Sequence, residues 1–205
     1  MKLYHIPTTR SLRPRWLLEE MALPYELVRV SLADTEQPNY RQKHPQGKVP
    51  VLEDGETVTF ESGAICAYLA DRYPERGVAP LPGSSARAAY YQWLFYATAT
   101  LEPPVEAYLF YSRPEISEKL LPKPQPAQTS GQQLQQWFEQ AALPLRQTLA
   151  ARSYLVGDGL TAADVVVGGV LLWARFLDML ASEPVLREYL ERLRARAAFA
   201  RAKQD

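Results

Sequence analysis

The chain has 205 residues, of which 47% are apolar, and its 23 basic residues balance 23 acidic ones. This apolar share supports a buried core and excludes a disordered chain, while the charge balance argues against nucleic-acid binding. The most apolar run, residues 165–172, is too short to cross a bilayer, and residues 1–7 do not resemble a signal peptide. Cys66 is the single cysteine, which excludes an internal disulfide and a cysteine metal cluster. We expect a cytoplasmic protein that does not bind membranes.

The first third of the chain alternates between strand and helix patterns. A strand is predicted over residues 3–6, followed by a helix that Ser11 caps and that runs to about Met21. A second strand is predicted over residues 25–31. Residues 32–44 are polar and irregular, and we expect at most a short helix there.

A hairpin pattern follows. Strands over residues 49–52 and 57–60 flank an Asp54-Gly55 turn, and Ser62 is expected to cap a helix that stops before Pro74. The order is β-α-β, an irregular link, then β-β-α. This is an α/β unit that is too small to be the whole protein.

After the proline-rich linker segment at residues 80–83, the sequence shows only helix patterns. One helix begins near Ser85 and is expected to kink at Pro103-Pro104, residues 123–126 form a loop, and Ser130 begins the next helix. The predicted organisation is an α/β domain over residues 1–78, a linker over residues 79–86 and an all-helical domain over residues 87–205.

The sharpest helix start in the chain lies at residues 160–165. Thr161 and Asp164 have the spacing of a capping box, and Leu160 and Val165 that of a hydrophobic staple. The following helix is apolar on every side, which predicts a buried helix. Its Gly168-Gly169 pair would weaken an isolated helix, so we expect a close neighbour there.

Three segments of the first domain can bind a small anionic ligand. The turn over residues 7–13 places hydroxyl groups at a helix N-terminus, Pro50 opens a strand after Val49, and Glu61-Ser62 begins a helix. Each has an ordinary structural reading as well. The turn over residues 7–13 can be simply a well-capped helix start, Pro50 an ordinary trans proline at a sheet edge, and Glu61-Ser62 a helix cap with an acidic first turn.

Together these segments resemble a known family. Tyr4, the turn over residues 8–13, the stretches over residues 47–52 and 61–69, and the cap over residues 160–164 are similar, in order and spacing, to soluble glutathione transferases of bacterial type. The resemblance spans nearly the whole chain. It implies a thioredoxin-like N-terminal domain, an all-helical C-terminal domain and usually a homodimer.

The resemblance also implies a binding site for glutathione as co-substrate, with no further cofactor. It places the backbone of Val49 against the cysteinyl residue of glutathione, beside a cis Pro50. Glu61 and Ser62 hold the γ-glutamyl end, and Lys48 approaches the glycyl carboxylate. Thr161 and Asp164 match the family's structural capping box rather than its active site.

The residue that stabilises the glutathione thiolate is harder to assign than the residues that bind the tripeptide. Members of the family use a tyrosine near the N-terminus, or a serine or cysteine of the first turn. Arg10 stands where one bacterial class has its cysteine, and we expect its side chain to be solvated. Ser11 is our first choice as donor, followed by Thr8, which falls near the serine of plant-type classes, or Thr9.

Other side chains receive roles in packing or in the second-substrate pocket. Cys66 is predicted to lie in the core, and His5 and His44 are separated by unrelated elements, which argues against a metal site. The aromatic residues of the helical domain are assigned mostly to helix packing. Tyr96, Leu101 and Tyr108 are our candidates to line a pocket for an apolar acceptor.

The resemblance implies an enzyme that transfers glutathione to a small apolar electrophile, or a related peroxidase or isomerase. The alternative is a non-catalytic binding or assembly module on the same fold, because a fold does not determine a function. The Glu61-Ser62 pair favours glutathione binding under either hypothesis.

Overall fold

The computed structural model describes residues 1–115 and 129–204. Within this part, the N-terminal region folds around a four-stranded mixed sheet of order β2-β1-β3-β4. Its strands are β1 (Lys2–His5), β2 (Glu26–Arg29), β3 (Val51–Asp54) and β4 (Thr57–Phe60). Strand β1 pairs in parallel with β2 and antiparallel with β3, which forms the predicted hairpin with β4.

Four α-helices belong to this region: α1 (Leu12–Glu20), α2 (Leu32–Thr35), α3 (Pro38–Arg41) and α4 (Ser62–Arg72). A single 3-10 turn, Pro74–Arg76, follows α4. Helix α1 is the crossover that a parallel β1–β2 pair requires. Leu3 and Leu52 of the sheet and Leu17, Ile65 and Leu69 of the helices are buried together. The predicted irregular stretch contains two single-turn helices, α2 and α3, where we expected at most one.

Helices alone follow in the described remainder of the chain. They are α5 (Ala86–Tyr96), α6 (Glu102–Ser112), α7 (Gly131–Leu149), α8 (Ala162–Phe176), α9 (Pro184–Arg194) and α10 (Ala197–Ala202). The predicted fold class, an α/β unit followed by helices, is therefore confirmed. Across the described residues, we find no helix with the length and apolarity that a membrane span requires.

The kink between α5 and α6 has a different origin from the one we predicted. Residues 97–101 form a single widened helical turn, and Pro103 and Pro104 fall in the first turn of α6, where proline is tolerated. The predicted start of α7 is confirmed by a capping box between Ser130 and Gln133. The loop predicted over residues 123–126 lies outside the described residues.

Helix α8 lies at the centre of the molecule, with residues 162–171 all buried. The predicted capping box forms at its start, where Oδ2 of Asp164 accepts from the amide and the hydroxyl of Thr161, each at 2.8 Å. In the other direction, the amide of Asp164 lies 3.0 Å from the carbonyl oxygen of Thr161. The box therefore stabilises a helix around which the domain packs.

The last two helices, which we did not predict, return the chain to the N-terminal domain. Helix α10 packs against α1, and the ring of Phe199 lies 4.9 Å from that of Trp16 in an edge-to-face contact. Arg196 forms a two-pronged ion pair with Glu20. Helix α1 is thus covered by elements from the other end of the described chain.

Candidate active site

One edge of the sheet brings the three predicted ligand segments together. In the strand register, Tyr4 of β1 is opposite Val51 of β3, and Val51 is opposite Phe60 of β4. The end of β1, the start of β3 and the end of β4 therefore lie side by side. The turn after β1, the Val49-Pro50 pair before β3 and the Glu61-Ser62 pair after β4 all leave the sheet at this edge.

The Val49–Pro50 peptide bond is cis, as the resemblance implied. Pro50 is buried, Val49 is half-buried and Lys48 is exposed. The hydroxyl of Tyr40 on α3 donates to the carbonyl oxygen of Lys48 at 2.9 Å. Helix α3 thus fixes the backbone that leads into this edge.

Two residues at this edge have unusual backbone conformations. Thr8 has φ +63° and Glu61 has φ +72° with ψ +115°. A positive φ is uncommon for any residue with a Cβ, and it is an outlier for a β-branched residue such as threonine. Strained backbone of this kind concentrates at functional sites, where the surrounding structure holds it in place. Both residues are exposed, so their strain is located where a ligand can reach them.

The three hydroxyls of the first turn differ in accessibility. Ser11 is 0% exposed, and its Oγ lies within 3.2 Å of the backbone of Ile6, of Oγ1 of Thr9 and of Nδ1 of His5. Ser11 occupies the N-cap position of α1 as predicted, but its hydroxyl is turned back towards β1 and makes no capping hydrogen bond to its own helix. Thr9 is half-buried and Thr8 is exposed.

Ser62 is the first residue of α4 rather than its cap, because Glu61 occupies the cap position. Its side chain is buried, and Nη1 of Arg13 donates to its Oγ at 3.1 Å. When Oγ accepts from Arg13, the hydrogen of the Ser62 hydroxyl points away from Arg13. Ser62 is therefore arranged as a donor, which suits an anionic partner.

Arg13 is itself held by a carboxylate of the helical domain. Its guanidinium is 2% exposed and donates to both oxygens of Glu102 on α6, at 3.0 and 2.8 Å. Sequence reasoning missed both residues. The signal was available in Arg13 itself, because a charged residue on a helix face between Leu12 and Trp16 requires a buried partner.

Arg10 is also paired, which corrects our expectation of a solvated side chain. It donates to Glu102 at 2.7 Å and to Glu106 at 2.8 Å, and its guanidinium carbon lies 4.8 Å from the centre of the Trp173 ring. Burial raises the pKa of Glu102, but Arg13 and Arg10 outweigh burial and hold that pKa below its ordinary value. A charged network therefore joins the first turn to the helical domain.

The three residues assigned to an acceptor pocket lie in different environments. Leu101 is 0% exposed, so this assignment is corrected: its side chain belongs to the core. Tyr96 donates its hydroxyl to the carbonyl oxygen of Ala141 on α7 at 3.0 Å, which is a packing contact between helices. Tyr108 is half-buried on α6, the helix that carries Glu102 and Glu106, and it stays a prediction.

Cys66 is buried in the core as predicted, and burial raises the pKa of its thiol to about 12. His44 is also buried, with its ring 4.6 Å from that of Phe60, and burial lowers its pKa below the ordinary value. In the described ranges, no three acidic, histidine or cysteine side chains are grouped as a metal site requires.

Comparison with known families covers both halves of the chain. Residues 1–71 match the glutathione S-transferase N-terminal domain, and residues 106–197 match the glutathione S-transferase C-terminal domain. These two ranges coincide with the α/β domain and with most of the helical domain.

Individual relatives align over nearly the full chain. Glutathione S-transferase GST-4.5 of Xanthomonas campestris pv. campestris is 30% identical over 181 residues, which are 85% of this chain and 82% of that protein. The disulfide-bond oxidoreductase YfcG of Escherichia coli K12 is 29% identical over a 210-residue alignment, covering 98% and 93%. The solved structure of a sphingomonad glutathione S-transferase complexed with glutathione has a TM-score of 0.81 and 26% identity, covering 99% of this chain and 97% of its own. The chain belongs to the glutathione S-transferase family.

Proposed function

We propose that this protein binds glutathione at the described edge of the sheet and activates its thiol for transfer to a small apolar electrophile. The observation that carries the proposal is the Arg13–Ser62 hydrogen bond beside the strained and exposed Glu61. Ser62 supplies a fixed hydrogen-bond donor for a carboxylate, and the adjacent Glu61 supplies an acidic group for an ammonium. The α-amino acid end of glutathione carries both charges.

The remaining contacts follow the course of the tripeptide. Ser62 donates to the α-carboxylate of the γ-glutamyl residue, and Glu61 pairs with its ammonium. The backbone of Val49 pairs with the cysteinyl residue as a neighbouring strand would. Lys48, which is exposed at the start of this segment, pairs with the glycyl carboxylate.

Thr9 is our choice of thiol donor among the three hydroxyls. Ser11, our first choice from sequence, is enclosed, whereas Thr8 and Thr9 each donate to a backbone carbonyl, of Pro7 at 2.6 Å and of Ile6 at 2.7 Å. Thr9 is half-buried at the start of α1, where the helix dipole favours a negative charge. A free cysteine thiol has a pKa of about 8.5, so a donor and a helix N-terminus both increase the thiolate fraction at neutral pH.

The second substrate is proposed to bind on the helical side of this turn. Tyr108 and Trp173 contribute aromatic surface, and the paired Arg10 and Glu106 form a polar rim with about a third of each side chain exposed. An acceptor that combines an apolar body with a polar group fits this composition.

A second candidate is thiol–disulfide exchange, the kind of reaction named for the Escherichia coli relative. Cys66, the single cysteine, is buried and its thiol pKa is raised, so glutathione must supply the attacking thiolate. That thiolate would attack a disulfide, forming a mixed glutathionyl disulfide and releasing the other thiolate. The same thiol-activating edge serves both candidates.

The homodimer that the resemblance implies is a further proposal. Tyr91 and Phe95, four residues apart on α5, are 40% and 70% exposed, and a second copy would cover this face. Light scattering of the purified protein decides between one copy and two, and a Phe95→Ser variant should shift the result towards the monomer.

The test of the proposed function combines binding, ionisation and turnover. Calorimetry should show glutathione binding, and the ultraviolet thiolate absorbance of bound glutathione, titrated against pH, should show a thiol pKa below that of free glutathione. Thr9→Val should raise that pKa by about one to two units, because a hydrogen bond to a charged group is worth about 1.5–3 kcal/mol and one pKa unit is about 1.4 kcal/mol.

Turnover assays with an aromatic halide and with a glutathione-accessible disulfide then separate the two reactions. Binding without any change in thiol pKa would support the non-catalytic alternative. Absence of glutathione binding in the folded protein would overturn the proposal.

A further inference from the structure

A buried histidine lies directly behind the first turn and has no part in the function proposed above. His5, the last residue of β1, is 1% exposed. Its Nδ1 lies 2.8 Å from Oγ of Ser11, and its Nε2 lies 3.3 Å from Nη1 of Arg15. The imidazole therefore connects a buried guanidinium to the buried hydroxyl of Ser11.

The chemistry of these groups gives the contacts a direction. A guanidinium can only donate, so Nε2 of His5 accepts from Arg15 and the ring hydrogen lies on Nδ1. That hydrogen is donated to Oγ of Ser11, which also accepts from the amide of Ile6 at 3.2 Å. With both acceptor positions of Ser11 occupied, its own hydrogen must be donated onward, and two acceptors are in reach: the carbonyl oxygen of Ile6 at 3.0 Å and Oγ1 of Thr9 at 2.7 Å.

We assign this hydrogen to Thr9, because a 2.7 Å contact between two hydroxyl oxygens requires a hydrogen between them and Ser11 has no acceptor position left for one from Thr9. Its Oγ1 lies 2.7 Å from Oγ of Ser11 and also 3.3 Å from the amide of Ser11. An oxygen that accepts both of these hydrogens must direct its own hydrogen elsewhere, here to the carbonyl oxygen of Ile6 at 2.7 Å. If the hydroxyl of Thr9 rotates, it donates its hydrogen bond to a glutathione sulfur beside the turn instead of to Ile6.

We propose that His5 is a positioning residue for thiol activation: acting through Ser11, it keeps the hydroxyl of Thr9 oriented as a donor to the glutathione sulfur. Each donor in the series from Arg15 to Thr9 polarises the next, which strengthens the last hydrogen bond. The inference rests on the proposed function, in which Thr9 contacts the thiol. It also gives the enclosed Ser11 a role, as the link between His5 and Thr9.

Matched variants of His5 test the proposal. His5→Phe keeps a ring and removes the donor, whereas the amide of His5→Asn can place an N–H where Nδ1 lies. In the pH titration of bound glutathione, His5→Phe should raise the thiol pKa by about 0.3–0.5 units with little change in glutathione affinity, and His5→Asn should restore most of the loss. Ser11→Ala should match His5→Phe, and combining the two should add little.

Thr9→Val, measured alongside, separates two kinds of failure. If Thr9→Val raises the thiol pKa and His5→Phe leaves it unchanged, the role of His5 is overturned while the proposed function stands. If Thr9→Val itself has no effect, the donor assignment fails and the role of His5 fails with it. Equal shifts in His5→Phe and His5→Asn would indicate a packing effect and would also overturn the proposal.

A spectroscopic readout is independent of catalysis and of whether the variants fold. Nitrogen-15 NMR distinguishes the two neutral forms of a histidine ring, and the chain has only two histidines. The wild-type protein should show His5 with its hydrogen on Nδ1. A hydrogen on Nε2 would reverse the direction of the series and overturn the proposal.

Discussion

Gly169 of α8 and Arg13 of α1 are in direct contact at the junction of the two domains: a Cβ atom on Gly169 would lie 2.6 Å from Cγ and Nε of Arg13. Its neighbour Gly168 similarly faces Trp16, whose ring would lie 3.1 Å from an added Cβ. Two glycines inside a buried helix thus let α1 approach it closely. This position of α1 is what brings Arg13 to Ser62.

Adding a single methyl group at this junction should destabilise the protein. We expect Gly169→Ala to lower the free energy of unfolding by about 1–3 kcal/mol, because a buried side chain must move to admit the new atom. Gly159→Ala is the matched control, since an added Cβ there has no described neighbour within 4 Å. Urea unfolding of both variants measures the difference, and equal stabilities would contradict the close approach.

Removing the Ser62 hydroxyl should weaken glutathione binding. We expect Ser62→Ala to reduce the affinity by about 1.5–3 kcal/mol, the range for a hydrogen bond to a charged group. Isothermal calorimetry measures it, with Ser84→Ala on the exposed linker as control. An unchanged affinity in a folded Ser62→Ala protein would remove the main anchor of the proposed site.

The capping box should matter for stability and not for binding. Thr161→Ala should cost about 0.5–2 kcal/mol, the usual range for a cap. Asp164→Ala should cost more, about 1–3 kcal/mol for each buried donor left without an acceptor, because the carboxylate also accepts from the amide of Leu155 at 2.9 Å and from the hydroxyl of Tyr189 at 2.8 Å. Asp158→Ala, in the exposed loop before α8, is the control.

Thermal unfolding ranks these three variants, and calorimetry at a temperature where all remain folded tests binding. Similar losses for Thr161→Ala and Asp164→Ala would contradict the additional contacts of Asp164. A large loss of glutathione affinity in either variant would place the box in the binding site.

The pairing of Glu102 predicts how stability depends on pH. Its pKa is lowered in the folded protein, from an ordinary value of 4.5, so its contribution is complete above about pH 4.5 and is lost as the pH falls through the folded pKa. Glu102→Gln should therefore be less stable than the wild type at neutral pH. The gap between their unfolding free energies should narrow below pH 4.5, and a constant gap would contradict the pairing.

Cys66 should be unreactive in the folded protein. Its thiol is buried and its pKa is raised to about 12, so the reactive thiolate is nearly absent at neutral pH. Ellman's reagent should modify Cys66 only at the rate at which the protein opens, and rapidly in denaturant. Prompt reaction under native conditions would show that α4 exposes this residue.

The parts of the fold that were predictable depend on short-range patterns. Thr161 and Asp164 are three residues apart, and their capping box was visible without any knowledge of the tertiary structure. The glycine pair of α8 also implied a close neighbour, although not that the neighbour was Arg13. These signals are local because a capping box stabilises a helix start, and a missing Cβ allows a close neighbour, whatever the tertiary structure.

The directions of two serine hydroxyls were not predictable for the opposite reason. Ser11 and Ser62 both precede or begin a helix, where a side-chain cap is the common arrangement. Here Ser11 bonds to His5 and Ser62 to Arg13, which reaches it only because Glu102, on a distant helix, holds the guanidinium. Competing partners from the tertiary structure determined both outcomes.

The burial of Leu101 was not predictable, because the helix is interrupted just where this residue lies. The widened turn over residues 97–101 lies between Tyr96 and Tyr108, so a regular period of 3.6 residues does not hold through it. Leu101 falls inside that turn and faces the core. A widened turn has no distinct sequence signal here, whereas the Pro103-Pro104 pair did attract attention.

The contacts between α1 and the segment around α10 limit when α1 can complete its native packing during synthesis. Glu20 and Glu19 find their arginine partners 176 and 182 residues further along the chain, at Arg196 and Arg201. Helix α1 is therefore synthesised long before its native surroundings can be completed. Until the segment that carries Phe199 has been synthesised, the ring of Trp16 lacks one of its packing partners.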